Sequence, residues 1–358
     1  MDNRGYIFTL VTVIMSLLLV SLYSFYVESS EPGLEGLVNR VGTDELHYFV
    51  ESLKKDFGRA METSARKSAA YATSWIMNSS LNLTGYVMHN CTAFNYSNYA
   101  NDSQAAMAEL MLCGTLEGNI VPGMENHTLP NWTARVESQY REYGIEADVV
   151  NLTLAMYDSW NFAAIALVRI SANNRVAYYQ NNDTLVSIVS ITGLEDPLYY
   201  LRTGEPDILP EFQACQIPAT VIGETINGWI DSACYIKSNN TYEGPSFFDR
   251  MDGNSTLTSK YSSQSLQHFG SNEIGLESFA DIYRFWMHDV TVDNSYSWVD
   301  YLYWNSTGGA CCVDGTRNYT ETYPDSDLSF KIDQKHVDKY GIVGAKCGES
   351  LDCDLIQY

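Results

Sequence analysis

From Tyr6 to Val27 the chain carries 22 consecutive residues without a charge, most of them Leu, Val, Ile, Phe and Tyr. As a helix this segment would rise about 1.5 Å per residue, roughly 33 Å in all, enough to cross the hydrocarbon core of a bilayer. Its polar residues are scattered Thr and Ser, whereas a globular core helix of this length would turn a polar face to water. The flanks set a direction. Arg4 and the amino terminus precede the segment, and Glu28, Glu31 and Glu35 follow it. By the positive-inside rule residues 1–5 form a cytoplasmic leader, 6–27 a transmembrane or filament-core helix, and everything beyond Val27 is exported. A cleaved secretory signal is the rival, but its apolar region should be shorter, and Ser24 to Ser30 lacks a clean small-x-small site.

Two further features point to the outside of a cell. Thirteen Asn-x-Ser/Thr triplets begin at Asn78, Asn82, Asn90, Asn95, Asn101, Asn126, Asn131, Asn151, Asn182, Asn239, Asn254, Asn305 and Asn318, all beyond the apolar segment. Polar loops rich in Asn and Thr account for some of them, and N-glycosylation of an exported surface for the excess. The eight cysteines, Cys91, Cys113, Cys215, Cys234, Cys311, Cys312, Cys347 and Cys353, lie on the same side and are even in number. Disulfides are the economical reading. Of the 105 possible pairings, we expect Cys91 with Cys113, Cys215 with Cys234, and the adjacent Cys311 and Cys312 with Cys347 and Cys353. A zinc site would need a Cys-x2-Cys knuckle, and His336 is the nearest imidazole to the last cluster, so no metal is expected.

The net charge of −23 excludes a nucleic-acid partner, because a phosphate backbone would be repelled. Residues 1–33 carry −2, and residues 34–78 balance six acids against six bases, which leaves −21 on the rest. Ser29 to Gly33 should break the helix, since Pro32 lacks an amide donor and Gly33 is conformationally loose. Leu46, Phe49, Val50, Leu53, Phe57, Ala60, Met61, Ser64, Ser68, Tyr71 and Trp75 then recur at three- and four-residue steps, predicting an amphipathic helix over 43–78. Residues 79–145 read as a glycosylated, Cys-containing helical subdomain with helices near 102–116 and 132–143. Alternation over 149–156, 162–170, 175–179 and 184–191, with turns at 172–174 and 181–183, predicts a four-stranded antiparallel meander within 146–200 that covers the long helix. Residues 201–358 form a Tyr- and Cys-rich C-terminal ectodomain. The fold class is α+β: a long N-terminal hydrophobic and amphipathic helix, then an antiparallel β-rich, disulfide-bonded ectodomain.

The motifs of zinc proteases, nucleophile elbows, Walker loops and dinucleotide sites are absent from the sequence, and we expect no enzyme and no cofactor. His268 and His288 could act as bases beside Glu273 or Asp289, but a hydrogen-bonded structural histidine is the plainer reading. Asp249, Asp252 and Asn254, Asp325 with Asp327, and Asp352 with Asp354 have the flavour of calcium loops without the full ligand spacing. The aromatic runs Tyr283-Arg284-Phe285-Trp286 and Trp298 to Trp304 could stack sugars or proteins, and core packing is the blander alternative.

Arg4-Gly5 directly before an uncharged helix resembles the class III signal of archaeal type IV pilin-like proteins. The resemblance implies peptidase cleavage between Gly5 and Tyr6, with the freed helix leaving the bilayer to become a filament core. Leu10 stands where bacterial pilins carry a glutamate, and Asp2 dilutes the basic leader. Later blocks are similar to archaeal surface proteins with this kind of N-terminus: Tyr6 to Leu10, Asp44-Glu45, Gly193 to Tyr199, Gly244 to Arg250, Gly275 to Phe279 and Val299 to Tyr303. The resemblance implies a structural or adhesive subunit at the cell surface, with the membrane, other pilin-like subunits and surface ligands or glycans as partners. A permanently anchored single-pass adhesin or receptor is the alternative.

Overall fold

The computed structural model describes residues 4–89, 91, 102–238, 244–255, 258–303, 311–319, 326, 328–348 and 353, with the side chains of 4–10, 27–38 and 142 outside the description. One helix, α1, runs from Arg4 to Ser79, 76 residues or about 114 Å. The break expected at Ser29 to Gly33 does not occur. A mid-helix proline costs about 3 kcal/mol and a glycine about 1. Cooperative propagation through the long helical runs on either side carries the chain across. Among the residues whose side chains are described, which confine the apolar run of α1 to Val11–Tyr26, no helix is long and apolar enough to cross a membrane.

The outer half of α1 is the spine of the ectodomain. Leu46, Val50, Leu53, Phe57, Met61, Ala65, Ala69, Ala72 and Ile76 form its buried stripe. The large side chains of its first turns are legible as a periodic pattern. Beyond Met61 the seam narrows to alanine and serine, which lets neighbours approach the backbone closely. Helix α2 (Ser103–Cys113) packs there and is itself buried along nearly its whole length, ending at Gly114 in the left-handed conformation. A two-residue ladder, β1 (Thr115–Leu116) with β2 (Asn119–Ile120), leads to α3 (Leu129–Gln139), capped by the Thr128 hydroxyl and started by Pro130.

Strands β3 (Glu146–Met156), β4 (Asn161–Asn173) and β5 (Tyr178–Ser190) form an antiparallel sheet in that order. The sheet lies on α1 through β4 and β5. The Ser187 hydroxyl donates to the Gly58 carbonyl (2.7 Å), and Arg66 donates to the carbonyl oxygens of Ser190 and Thr192. The four-stranded expectation is corrected to three, because Asn181-Asn182-Asp183 does not turn. These residues pair in register with Ile170, Arg169 and Val168 on β4. The Asp183 carboxylate collects the Tyr179 hydroxyl (2.9 Å), the Asn181 amide (2.7 Å) and Lys54 of α1 (3.0 Å), so the polar residues are absorbed at the sheet edge. The other expected turn, at 172–174, is present from Asn174 onward, and the Asn174 side chain accepts from the amides of Val176 and Ala177.

The rest is built from short pieces: α4 (Pro197–Thr203), α5 (Gly223–Ser232), β6 (Tyr235–Lys237), α6 (Phe247–Met251), α7 (Ser262–Phe269), β7 (Leu276–Ser278), α8 (Ile282–Met287), β8 (Cys311–Val313), α9 (Gln334–Tyr340) and β9 (Ala345–Cys347). The ladders β6–β7 and β8–β9 are antiparallel. Four disulfides join Cys91 to Cys113, Cys215 to Cys234, Cys311 to Cys347 and Cys312 to Cys353. Adjacent cysteines on a strand point to opposite faces. Cys311 therefore bonds across the ladder to Cys347, its partner in register, while Cys312 reaches the chain end on the other side. The molecule is α+β with antiparallel sheets.

Candidate functional site

Two places stand apart from ordinary packing. The first is the free end of α1. Every described residue from Val11 to Tyr26 is exposed, and the large apolar ones range from 49% for Ile14 to 73% for Phe25. Apolar side chains cover this helix all round, and none of its sides is shielded by the ectodomain. Its few hydroxyls fold back on the helix, Ser16 donating to the Thr12 carbonyl and Ser21 to that of Leu18. These two hydroxyls therefore do not need water as a partner. Arg4, Gly5 and Tyr6, where the sequence resemblance implies cleavage, sit in its first turns, helical in backbone, with their side chains outside the description.

The second is a buried polar cluster where six separate sequence blocks meet, around residues 196, 235, 250, 277, 300 and 336. Asp196, at the start of α4, and Arg250, at the end of α6, form an ion pair with both side chains completely buried. Arg250 also donates to the Leu276 carbonyl (2.8 Å), and its guanidinium lies against the rings of Tyr235, Tyr303 and Phe212. Asp196 accepts further from the Tyr235 hydroxyl (2.8 Å) and the Leu198 amide (2.9 Å). Burial alone would strip the charge from Arg250, but Asp196 and the surrounding tyrosines hold it above its ordinary pKa.

The Tyr303 hydroxyl donates to the Leu276 carbonyl and to Asp300, and so links this pair to a second group around His336 on α9. His336 Nε2 lies 3.0 Å from Asp300 and 3.7 Å from Glu277, and Nδ1 meets Asp333, which also caps α9 by accepting the His336 amide. Lys339 and Tyr340 close the far side by bonding Glu277. Burial pushes the imidazole down, but the hydrogen bonds and charges of Asp300 and Asp333 outweigh it and hold the pKa at about 10. For Glu277 burial comes first and Asp300 adds to it, raising the carboxyl against the pull of Lys339 and Tyr340. Asp196, Arg250, Glu277, Asp300 and His336 are shut off from solvent. What they can do chemically is hold charge and orient the short elements around them.

The site residues expected from sequence fall in several places. Of the sequon asparagines, Asn78, Asn82, Asn126, Asn131 and Asn182 are exposed, and Asn151, Asn254 and Asn318 are half-buried. Asn90, Asn95, Asn101, Asn239 and Asn305 lie outside the described residues. Asn82 helps to line a cleft of about 700 Å³ with Trp75, Tyr86, His89, Glu117 and Arg202. The calcium-like trio serves the chain itself. Asp249 forms a capping box with Ser246 and accepts from Asn254 (3.0 Å), while Asp252 accepts from the Ser103 amide, Tyr261 and Lys260. Burial pushes Asp252 up to about 6 despite these donors. Asp325, Asp327, Asp352 and Asp354 lie outside the described residues.

His268 is exposed at the end of α7, and His288 is half-buried at the C-cap of α8. Glu273 and Asp289 are exposed too, and no ion pair joins either histidine to them among the described residues. The aromatic runs pack inward. Tyr283 stacks on Tyr319 (4.5 Å between centroids), and Trp298 sits between Tyr319 and Phe330, while Trp304 is outside the described residues. Sequence reading did not single out the Asp196–Arg250 pair or the His336 group. Its only trace is that the resembling blocks contain Asp196, Arg250, Glu277, Asp300 and Tyr303. No family model matches the chain, and no curated protein or solved structure is similar to it.

Proposed function

We propose that this chain is an exported, N-glycosylated subunit of a type IV pilus-like filament, structural or adhesive and without catalytic activity. The observation that carries the reading is the apolar cylinder of α1. A helix exposed on all sides over residues 11–26 needs a cover of lipid or of other copies. An uncharged cylinder can exchange one for the other at little solvation cost, because lipid tails and neighbouring Leu, Val and Phe side chains are equally apolar. In this reading residues 6–27 pass through the membrane before Gly5–Tyr6 is cut, and then pack in the filament core. The exposed sequon asparagines and the four disulfides suit a surface outside the cell. Burial of the charged cluster suits a scaffold rather than an active site.

Peptide mass spectrometry of protein taken from native cell surfaces, with glycopeptides retained, tests the reading. A mature start at Tyr6 together with filaments in electron micrographs is the expected result. An intact Met1 or Asp2 on surface-displayed protein overturns it in favour of a permanently anchored adhesin or receptor.

A further inference from the structure

The geometry points to a divalent-cation site made by Glu205, Asp207 and His288, for a first-row transition ion such as Zn²⁺. The three donor groups come from chain segments about eighty residues apart. Glu205 and Asp207 flank Pro206 in a single 3-10 turn after α4, and His288 caps the C-terminus of α8. Their ligand atoms all lie within 4.8 Å of one another. Bonds of about 2.0–2.2 Å in a tetrahedral or octahedral shell set donors roughly 3–4.4 Å apart, so a small inward adjustment closes the site on an ion.

The His288 imidazole has no hydrogen-bond or ion-pair partner among the described residues, although it stands beside two carboxylates. That is unlike His336, which meets its carboxylates at ion-pair distance. The donors of the 205–288 group face one another across a gap that they do not close by themselves. The backbone around them is already fixed. The amide of His288 donates to the carbonyls of Arg284 and Phe285, Arg284 reaches across to the Asp207 carbonyl oxygen, and Glu205 caps the turn by accepting the Asp207 amide through Oε1 (3.1 Å), which ties the two segments together and leaves Glu205 Oε2 to face the ion.

Donor chemistry selects the ion. Two carboxylates and one neutral imidazole offer a net charge of −2 and one nitrogen, which suits Zn²⁺ and its neighbours better than Ca²⁺ or Mg²⁺, which prefer all-oxygen shells. Three protein ligands leave at least one position for water or for a donor from another molecule. Asp207 is exposed and the other two are half-buried, so the ion would exchange with solvent. Bound, it would staple the 205–208 turn to α8. The inference is independent of filament assembly.

The test uses untagged full-length protein in detergent, stripped of metal and titrated with Zn²⁺ against a chromophoric chelator at about 0.15 M salt. One site per chain is expected, weakened about tenfold or more in His288→Ala and again in Asp207→Asn, and not displaced by millimolar Ca²⁺. The five other histidines do not belong to the site, and a His268→Ala control should bind as the parent does. Equal Zn²⁺ affinity in the parent and both ligand variants, or no binding at this salt, overturns the assignment.

Discussion

At the scale of single residues the molecule depends on charges it has hidden. Arg250 and Asp196 lie fully buried and answer each other. Replacing Arg250 with Met would leave Asp196 with only the Tyr235 hydroxyl and the Leu198 amide. Breaking a buried pair from one side costs about 3–5 kcal/mol, because the remaining charge is uncompensated. We expect that loss in urea unfolding of Arg250→Met with the disulfides intact, and partial recovery when Asp196→Asn is added. His336 makes a different prediction. Its folded pKa of about 10 lies above the ordinary 6.5, so its contribution is complete below pH 6.5 and is lost as pH rises toward 10. Asp333 works in the opposite sense. Burial raises its pKa, but His336 outweighs that and holds it below the ordinary 3.8, so its contribution is lost only as pH falls through the acid range. Unfolding free energies should therefore decline by the order of a few kcal/mol from pH 6.5 toward 10. His336→Asn should be less stable throughout and flat across that window. A slope retained in the variant would remove the assignment. Neither group was legible in the sequence, since residues up to about 140 positions apart must meet before their charges mean anything. The cysteines were legible because short separations and an even count constrain pairing strongly.

At the scale of elements, sequence pattern succeeded where side chains are large and periodic and failed where polar residues follow a ladder rather than end one. The first turns of the outer α1 helix announce themselves through Leu46, Val50, Leu53 and Phe57. The Ala65, Ala69, Ala72 and Ile76 seam carries little hydrophobic signal, although it is fully buried. Asn181-Asn182-Asp183 has turn chemistry, yet β4 pairs with it along its length. Two glycines test how tightly the elements meet. A Cβ at Gly58, within α1, would stand 3.7 Å from the Ser187 hydroxyl, an ordinary contact. Gly58→Ala should stabilise by about 0.5–1 kcal/mol through helix propensity, raising the unfolding midpoint in urea. A Cβ at Gly223, at the start of α5, would lie 2.3 to 2.5 Å from backbone atoms of Asp314, Gly315 and Thr316. Backbone cannot step aside as a flexible side chain can. Gly223→Ala should destabilise by about 1–3 kcal/mol, and a midpoint equal to the parent's would show that the loop at 314–316 yields freely.

At the scale of the whole molecule, charge and hydrophobicity are separated along the chain, the uncharged run at the start of α1 and the charge beyond the helix. Residues 34–78 are electrically balanced and the part beyond them carries −21. The shaft can therefore approach other shafts without electrostatic cost, while acidic heads repel one another and favour spacing outward from a common axis. This arrangement makes the uncharged end of α1 the most sensitive place for a single charge. Val13 is exposed and lies near the middle of the apolar cylinder's inner half. Val13→Asp would put a carboxylate where neither lipid nor a neighbouring apolar helix can solvate it, at about 2.5–3.5 kcal/mol or more for each copy. In a filament that cost recurs with every subunit, so assembly should fail even if each ectodomain folds normally. We expect the variant to retain the parent's urea unfolding midpoint in detergent, while surface display and filament yield collapse. Val13→Leu, which keeps the surface apolar, should assemble as the parent does. Normal display and filaments from Val13→Asp would mean that this face meets water in the mature molecule, and the filament reading would fall with it.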